Sequence, residues 1–243
     1  MKEQIKSILM REDFHPTLLG LFTNPFYFAR KGLAEEVQGF GGNVQGRTLD
    51  VGCGNKHYRS FFSSSEYIGL EIDSEINRMN KSADYYYNGE VFPFSDSEFD
   101  SLVTNQVFEH VFNPDQFLDE AYRVLKQDGV MLMTVPFVWD EHEQPYDFAR
   151  YSSFGIQHLL SAHGFEVLEI KKTMNDVRVI FQMVNAYIYK KVMTGNGYVN
   201  LLSTLILMAP VNILGELLNL LLPKNDDLYL DNVILVKKKA LDK

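Results

Sequence analysis

Cysteine is nearly absent: Cys53 is the only one in 243 residues, which excludes an internal disulfide. A free cysteine is commonly a small buried packing residue, and Cys53 is read that way rather than as a redox or nucleophilic thiol. Positive charge is also scarce, with 23 Lys and Arg against 32 Asp and Glu and a formal net charge of -9. Binding a phosphate backbone rests on neutralisation by Lys and Arg, so no nucleic-acid partner is expected. No secretory signal opens the chain, because residues 1–11 carry charge on both sides of a short apolar run, and a cytoplasmic location is expected. Low-complexity linkers and internal repeats are lacking too. A composition of 46% hydrophobic and 23% charged residues is that of a globular protein.

One signature is incomplete. Residues 48–51 read as a short buried strand, followed by Gly52 and Gly54, which carry no Cβ and allow a tight turn with close approach to a ligand. A dinucleotide fingerprint needs a third glycine, and His57 stands there instead. Asp50 is the informative neighbour. Its carboxylate would repel a pyrophosphate and hold a cation. S-adenosylmethionine, with a sulfonium, an ammonium and no phosphate, meets that requirement. A helix is expected from about Lys56, so that the loop up to Tyr58 would offer backbone N–H groups at a helix N-terminus, beyond the carboxyl end of a strand.

Along the chain, Asn24-Pro25 reads as an N-cap with proline at the first helical position, and predicts a helix over 25–38 ended by Gly39, Gly41 and Gly42. Strands are expected at 47–51, 66–71, 84–87, 99–104, 130–135 and 165–170, with helices begun by Asn113-Pro114 and by Ser152 or Ser153. This alternation predicts a doubly wound α/β fold, a mostly parallel sheet with helices on both faces. No strand is evident over 174–226, a stretch too long for a bare loop. It holds two apolar-rich helices, 199–209 and 211–222, split by Pro210. Residues 231–238 return as an apolar strand. The expected organisation is a single domain over 1–243, with an N-terminal helical cap over 1–45, including a short helix within 1–20 broken at His15-Pro16, and a helical insertion over 174–226 before the last strand.

Leu49-Asp50-Val51-Gly52-Cys53-Gly54 resembles the first motif of the class I S-adenosylmethionine-dependent methyltransferases. The resemblance continues in order through Tyr67-Ile68-Gly69-Leu70-Glu71, Asn88-Gly89-Glu90-Val91-Phe92-Pro93-Phe94, Phe99-Asp100-Ser101-Leu102-Val103, Gln106-Val107-Phe108-Glu109-His110-Val111 and Arg123-Val124-Leu125-Lys126. It is similar to the branch called methyltransferase type 11. The resemblance implies a Rossmann-like sheet of seven strands with an antiparallel last strand, and S-adenosyl-L-methionine as cofactor. Glu71 would accept from both ribose hydroxyls, since one carboxylate suits two vicinal donors. Asn88 stands where relatives often have aspartate for the adenine amino group; an amide oxygen can also accept, and Gly89 would offer its N–H to the ring. Asn105 and Gln106 would lie beside the transferable methyl.

An activated methyl donor leaves catalysis largely to positioning, but a hydroxyl acceptor needs a base near its proton. Two histidines are candidates, His110 and His142. The second lies in a stretch, residues 139–151, that resembles a His…Pro-x-Asp-x-x-Arg-Tyr segment of relatives encoded among glycan and cell-envelope genes. A small or lipid-linked acceptor, such as a sugar hydroxyl of a glycan precursor, is therefore expected from resemblance. The rivals are a catalytically inactive methyltransferase-like binding subunit and a nicotinamide-dependent oxidoreductase, the latter disfavoured by Asp50. Asp147 and Arg150 face the substrate or form a structural ion pair. Glu109, His110, Asp140, Glu141 and His142 could ligate a metal by type, but no tight spacing such as H-E-x-x-H is present, and no metal is expected. Leucines at helical spacing over 199–222, flanked by Lys190, Lys191 and Lys224, would pack on the domain, form a homodimer or touch the inner face of a membrane. Pro210 and Glu216 argue for two helices folding back rather than one span.

Overall fold

The computed structural model describes residues 11–240. The helix expected within 1–20 ends at Phe14, ahead of His15-Pro16, and its part before Arg11 lies outside the described residues. Seven strands form one sheet: β1 (Gln45–Val51), β2 (Ser63–Ile72), β3 (Tyr85–Tyr87), β4 (Phe99–Asn105), β5 (Leu125–Pro136), β6 (Phe165–Lys172) and β7 (Asp231–Lys238). Their order is β3-β2-β1-β4-β5-β7-β6. β1 pairs in parallel with β2 and β4, β2 with β3, and β4 with β5. The last strand runs antiparallel to β6: Thr173 N–H donates to Asp231 O at one end, and Lys239 N–H donates to Gly164 O at the other. From β1 the chain winds outward through β2 and β3, then restarts at β4 and winds the other way. The switch therefore falls between β1 and β4, where such sheets open a crevice beyond the strand ends.

By its close contacts the chain divides into two compact units. The sheet unit comprises residues 36–137, 141–171 and 232–240. Leu49, Val51, Leu70, Leu102, Met131 and Met133 from its central strands pack with Phe117, Leu118 and Ile156 in one buried cluster. A buried Val, Leu or Phe contributes roughly 1.5–3 kcal/mol, so this cluster carries the fold of the unit. Its helices start as their caps predict. Asn113 accepts from Gln116 N–H ahead of the helix Pro114–Val124, and Ser152 accepts from Gly155 N–H ahead of Ser153–Ala162.

Between β1 and β2 the expected helix is not found. Lys56 has a φ of 55°, outside the helical region, and only a 3-10 turn, Arg59–Phe61, follows. The side chains account for this. Lys56 Nζ reaches across bare Gly69 to Asp84 Oδ2 at 2.6 Å, and a Cβ on Gly69 would stand 2.4 Å from Lys56 Cε. Tyr58 turns into the interior and stacks on Phe61.

The second unit is helical and gathers residues 11–35 with Val138–Asp140 and Lys172–Asp231. The N-terminal segment and the 174–226 stretch thus form one body. Tyr27, Phe28, Ala29, Met174, Val179 and Leu230 make its core. Buried amides join its backbones: Asn212 Nδ2 donates to Leu21 O and Asn24 O, and Asn185 Nδ2 donates to Asn212 Oδ1 at 2.8 Å. Pro210 does not split two helices. Residues Gly197–Asn219 form one continuous helix of 23 residues, with a π turn at Thr204–Met208 just before the proline. Ala209 N–H donates to Thr204 O, so the extra residue in that turn makes room for a ring that would strike the carbonyl four residues back.

Candidate active site

The loop after β1 is shaped by contacts below it. Gly52 has a φ of +70° and a Cβ there would meet Val107 Cγ2 at 2.3 Å, so both its conformation and its space require glycine. Gly54 also has positive φ, but nothing lies within 4 Å on its Cβ side, leaving an open face toward the end of the sheet. Gly54 N–H donates to Glu71 Oε1 at 2.6 Å, which ties the loop to the end of β2, and Asn77 Nδ2 donates to Glu71 Oε2 at 3.2 Å. Burial raises the Glu71 carboxyl above its ordinary value, against the hydrogen bond from Gly54. Asp50 is almost completely buried and accepts from Tyr67 Oη at 2.7 Å. Burial first, and the nearby Glu71 charge, push it up to about 7, against that hydrogen bond and Lys56. Cys53 is buried, and burial pushes its thiol up to about 12, as fits an inert packing residue.

Asn88 lies in the turn after β3, where its Oδ1 accepts from Glu90 N–H at 3.0 Å and its Nδ2 donates to Glu90 Oε2. It thus shapes the loop on which Gly89, at a φ of +89°, presents its backbone. Tyr58, expected among the cofactor-binding residues, is largely buried and stacks on Phe61. Asn105 ends β4, opposite Thr134 of β5, and its buried Oδ1 has no hydrogen-bond partner. Gln106 then takes a φ of 54° and turns the chain into the short turn Phe108–His110. Tyr67 and Asn77, which orient the two acidic residues, escaped the sequence reading. Tyr67 sits in the second motif and is the only one of the pair that a strand pattern could have flagged.

The same turn receives the loop that follows β5. Phe148 and Ala149 N–H both donate to Glu109 O, and His110 Nδ1 lies 2.8 Å from Tyr146 O. His110 and His142, distant in sequence, stack edge to face with centroids 4.8 Å apart. Asp147 accepts from His142 N–H at 2.9 Å, and its Oδ2 lies 3.2 Å from His142 Nδ1. Arg150 grips both oxygens of Asp147, at 2.5 and 2.7 Å. That hydrogen-bonded guanidinium is the main reason the Asp147 carboxyl lies well below the usual carboxylate range. The ion pair expected as an alternative for Asp147 and Arg150 is therefore formed, and it holds His142 in place. Glu109, fully buried, adds a carboxylate with Oε1 at 3.8 Å from His110 Nε2.

A buried acid at the end of β1 below a two-glycine loop, and a second acid at the end of β2, stand beside the switch between β1 and β4, the place where α/β sheets of this order bind nucleosides. Comparison with known proteins agrees. Residues 49–133 match a methyltransferase domain family. The chain is 28% identical over 166 residues to a probable S-adenosylmethionine-dependent methyltransferase of Mycolicibacterium smegmatis, covering 62% of this chain and 63% of that one. It is 29% identical over 144 residues to an uncharacterized protein of Methanocaldococcus jannaschii, covering 54% and 69%. The fold matches an S-adenosylmethionine-dependent methyltransferase from Mesorhizobium loti, with a TM-score of 0.55 at 10% identity over 87% of this chain and 100% of that one. Residues 49–133 thus carry a methyltransferase domain, set in a chain with the fold of S-adenosylmethionine-dependent methyltransferases. The residues fit that cofactor: the open face of Gly54, the Glu71 carboxylate and the partnerless Asn105 oxygen offer polar groups where it would lie.

Proposed function

We propose that the protein methylates a hydroxyl of a small or lipid-linked acceptor, with a sugar hydroxyl of a glycan precursor as the favoured substrate class. When bound, S-adenosylmethionine supplies the activated methyl group. Asp50 and Glu71 hold the cofactor, and the His110–His142 pair handles the acceptor proton. The observation that carries this reading is the convergence of two imidazoles beside the end of β4, within a lip of exposed aromatic rings. Phe112 and Phe148 pack edge to face at 5.2 Å and both face solvent, as does Tyr146. Aromatic faces of this kind suit the apolar face of a sugar ring, while the imidazoles meet its hydroxyls. The inactive binding-subunit reading is disfavoured because Asp50, Gly52, Gly54 and Glu71 keep a connected geometry.

The helical unit supports the lipid-linked form of the acceptor. In the helix Gly197–Asn219 only 28% of the apolar window is buried, and Leu202, Ile206 and Leu217 face solvent. Such a face fits peripheral contact at the inner surface of a membrane, with a homodimer as the competing occupant. Incubating the protein with labelled S-adenosylmethionine and fractionated cell extract tests the function. Label is expected in a polar or glycolipid fraction as an alkali-stable ether. Label in nucleic acid or protein, or none above a control lacking the enzyme, would overturn the acceptor class.

A further inference from the structure

We propose that Glu109, His110 and His142 form a binding site for one divalent transition-metal ion, of which zinc is the simplest case. The proposal deepens the reading of this face as the acceptor side, and the binding itself does not depend on that reading. Each residue offers a ligand atom, and the three atoms lie within 4.8 Å of one another. In a tetrahedral zinc site, with bonds of about 2.0–2.2 Å, ligand atoms stand roughly 3.3–3.5 Å apart. The Glu109 Oε1 to His110 Nε2 distance is already 3.8 Å, so side-chain adjustment of about an ångström closes the site around an ion.

The surroundings of the rings also suit a metal. Metal-binding histidines characteristically give their other ring nitrogen to a carbonyl or carboxylate, which fixes the tautomer. Both imidazoles have that arrangement: His110 Nδ1 meets Tyr146 O at 2.8 Å, and His142 Nδ1 meets Asp147 Oδ2 at 3.2 Å. Arg150 Nη2 also lies 3.4 Å from His142 Nδ1, but its charge is matched by the Asp147 carboxylate that it grips. The carbonyl places the proton of His110 on Nδ1 and leaves its Nε2 lone pair for an ion, while His142 Nδ1 stands between the Asp147 carboxylate and the donating Arg150 guanidinium. Glu109 adds a carboxyl group from a fully buried position beside His110. Glu143, with Oε2 at 3.9 Å from His110 Nε2 and its side chain mostly exposed, adds a further acidic group at the outer edge.

Three protein ligands leave a fourth position open, as catalytic rather than structural sites do. A hydroxyl coordinated there would become more acidic and give its proton to solvent, and its oxygen would form the new O–C bond as the S–CH3 bond of S-adenosylmethionine breaks, its electron pair passing to sulfur and leaving the neutral thioether. The histidines then act on the acceptor through the ion and not as free bases.

The test uses the full-length protein dialysed against a chelator, with zinc alone as the probe. Calorimetry is expected to show one equivalent bound, and cobalt in its place to give the visible absorption of a tetrahedral site. His142→Gln, on a partly exposed ring, is expected to weaken binding by at least 100-fold, and Asp147→Asn by 10- to 100-fold through the lost support of that ring. Circular dichroism and the retained binding of S-adenosylmethionine serve as folding controls. Zinc binding that is equally tight in both variants, or absent from the parent protein, would overturn the proposal. Full turnover in excess chelator would overturn the part of the proposal in which the ion acidifies the acceptor, and would leave direct proton transfer by His142 standing. Loss of cofactor binding with zinc binding intact would instead refute the cofactor reading alone.

Discussion

Asp50→Asn separates what the fold needs from what the cofactor needs. Burial holds the Asp50 carboxyl well above its ordinary value, so the folded protein binds this proton more tightly than the unfolded chain does. The contribution of this group to stability is then greatest at low pH and is lost as pH rises from the ordinary carboxylate range to the folded value. A rise from 3.8 to about 7 corresponds, at about 1.4 kcal/mol per tenfold change, to a cost of roughly 4 kcal/mol once both states are ionised. Asparagine keeps the shape and an acceptor for the Tyr67 hydroxyl, but it has no charge to desolvate. Its spare amide protons offset part of the gain, so the cofactor-free variant is expected to be more stable by roughly 2 kcal/mol near about pH 8. For a chain of this length that is a Tm rise of roughly 4–8 °C, shrinking toward about pH 4. The same change should weaken S-adenosylmethionine by roughly 1.5–3 kcal/mol, the scale of a lost hydrogen bond to a charged group. Thermal denaturation across the pH range and calorimetry with the cofactor measure the two effects. A variant less stable than the parent near about pH 8, or one that binds the cofactor equally well, would refute the assignment of Asp50 as a buried anion kept for the ligand.

Other changes probe other parts of the structure. Gly52→Ala should destabilise the protein by at least about 2 kcal/mol, from positive φ and the clash with Val107, and Val107→Ala should restore part of the loss; denaturant titration of both variants decides it. His163 is held between Asp119 at 2.8 Å and Asp115 at 3.1 Å, and although burial opposes its charge these carboxylates raise its value. Its stabilisation should be complete below the ordinary histidine value of 6.5 and fade as pH rises through the raised one. The Tm gap between the parent and His163→Gln, up to a few degrees, should therefore narrow from about pH 5.5 to about pH 9. Leu217→Glu should abolish flotation with anionic liposomes; parent protein that stays with the soluble fraction, with light scattering showing a dimer, would assign the apolar face to a second copy.

Much of the sheet could be read from the chain because its strands are short apolar runs bounded by glycine, proline or charge. Residues 231–238 form a strand over the expected span, and the Asn113 and Ser152 caps bond as their positions imply. The helix after Gly54 failed because Lys56 answers to a distant partner, Asp84, and local pattern contains no trace of that ion pair. Pro210 misled for a related reason: a break was inferred from the residue alone, while the chain absorbed it in a widened turn one step earlier. Residue type groups Glu109, His110 and His142 with Asp140 and Glu141 as possible ligands, but spacing does not single out the three, because they arrive on two loops. Ligand spacing along the sequence is informative only when one element supplies the ligands, and here the sheet performs the juxtaposition.

The π turn has a further consequence, which concerns rotation and not length. One residue more or less in an α-helix turns everything beyond it by about 100°. In the present phase Asn212 faces Asn185, and Gly215 meets the Phe28 ring so closely that a Cβ would stand 2.8 Å from it. The turn thus acts as an angular offset between the two halves of the helix. It aims the second half inward at its amide and glycine contacts and leaves Leu214 and Leu217 pointing out. Which leucines the helix shows to the outside is therefore set by a backbone irregularity next to Pro210, and a one-residue deletion there would redraw the apolar face without altering its composition.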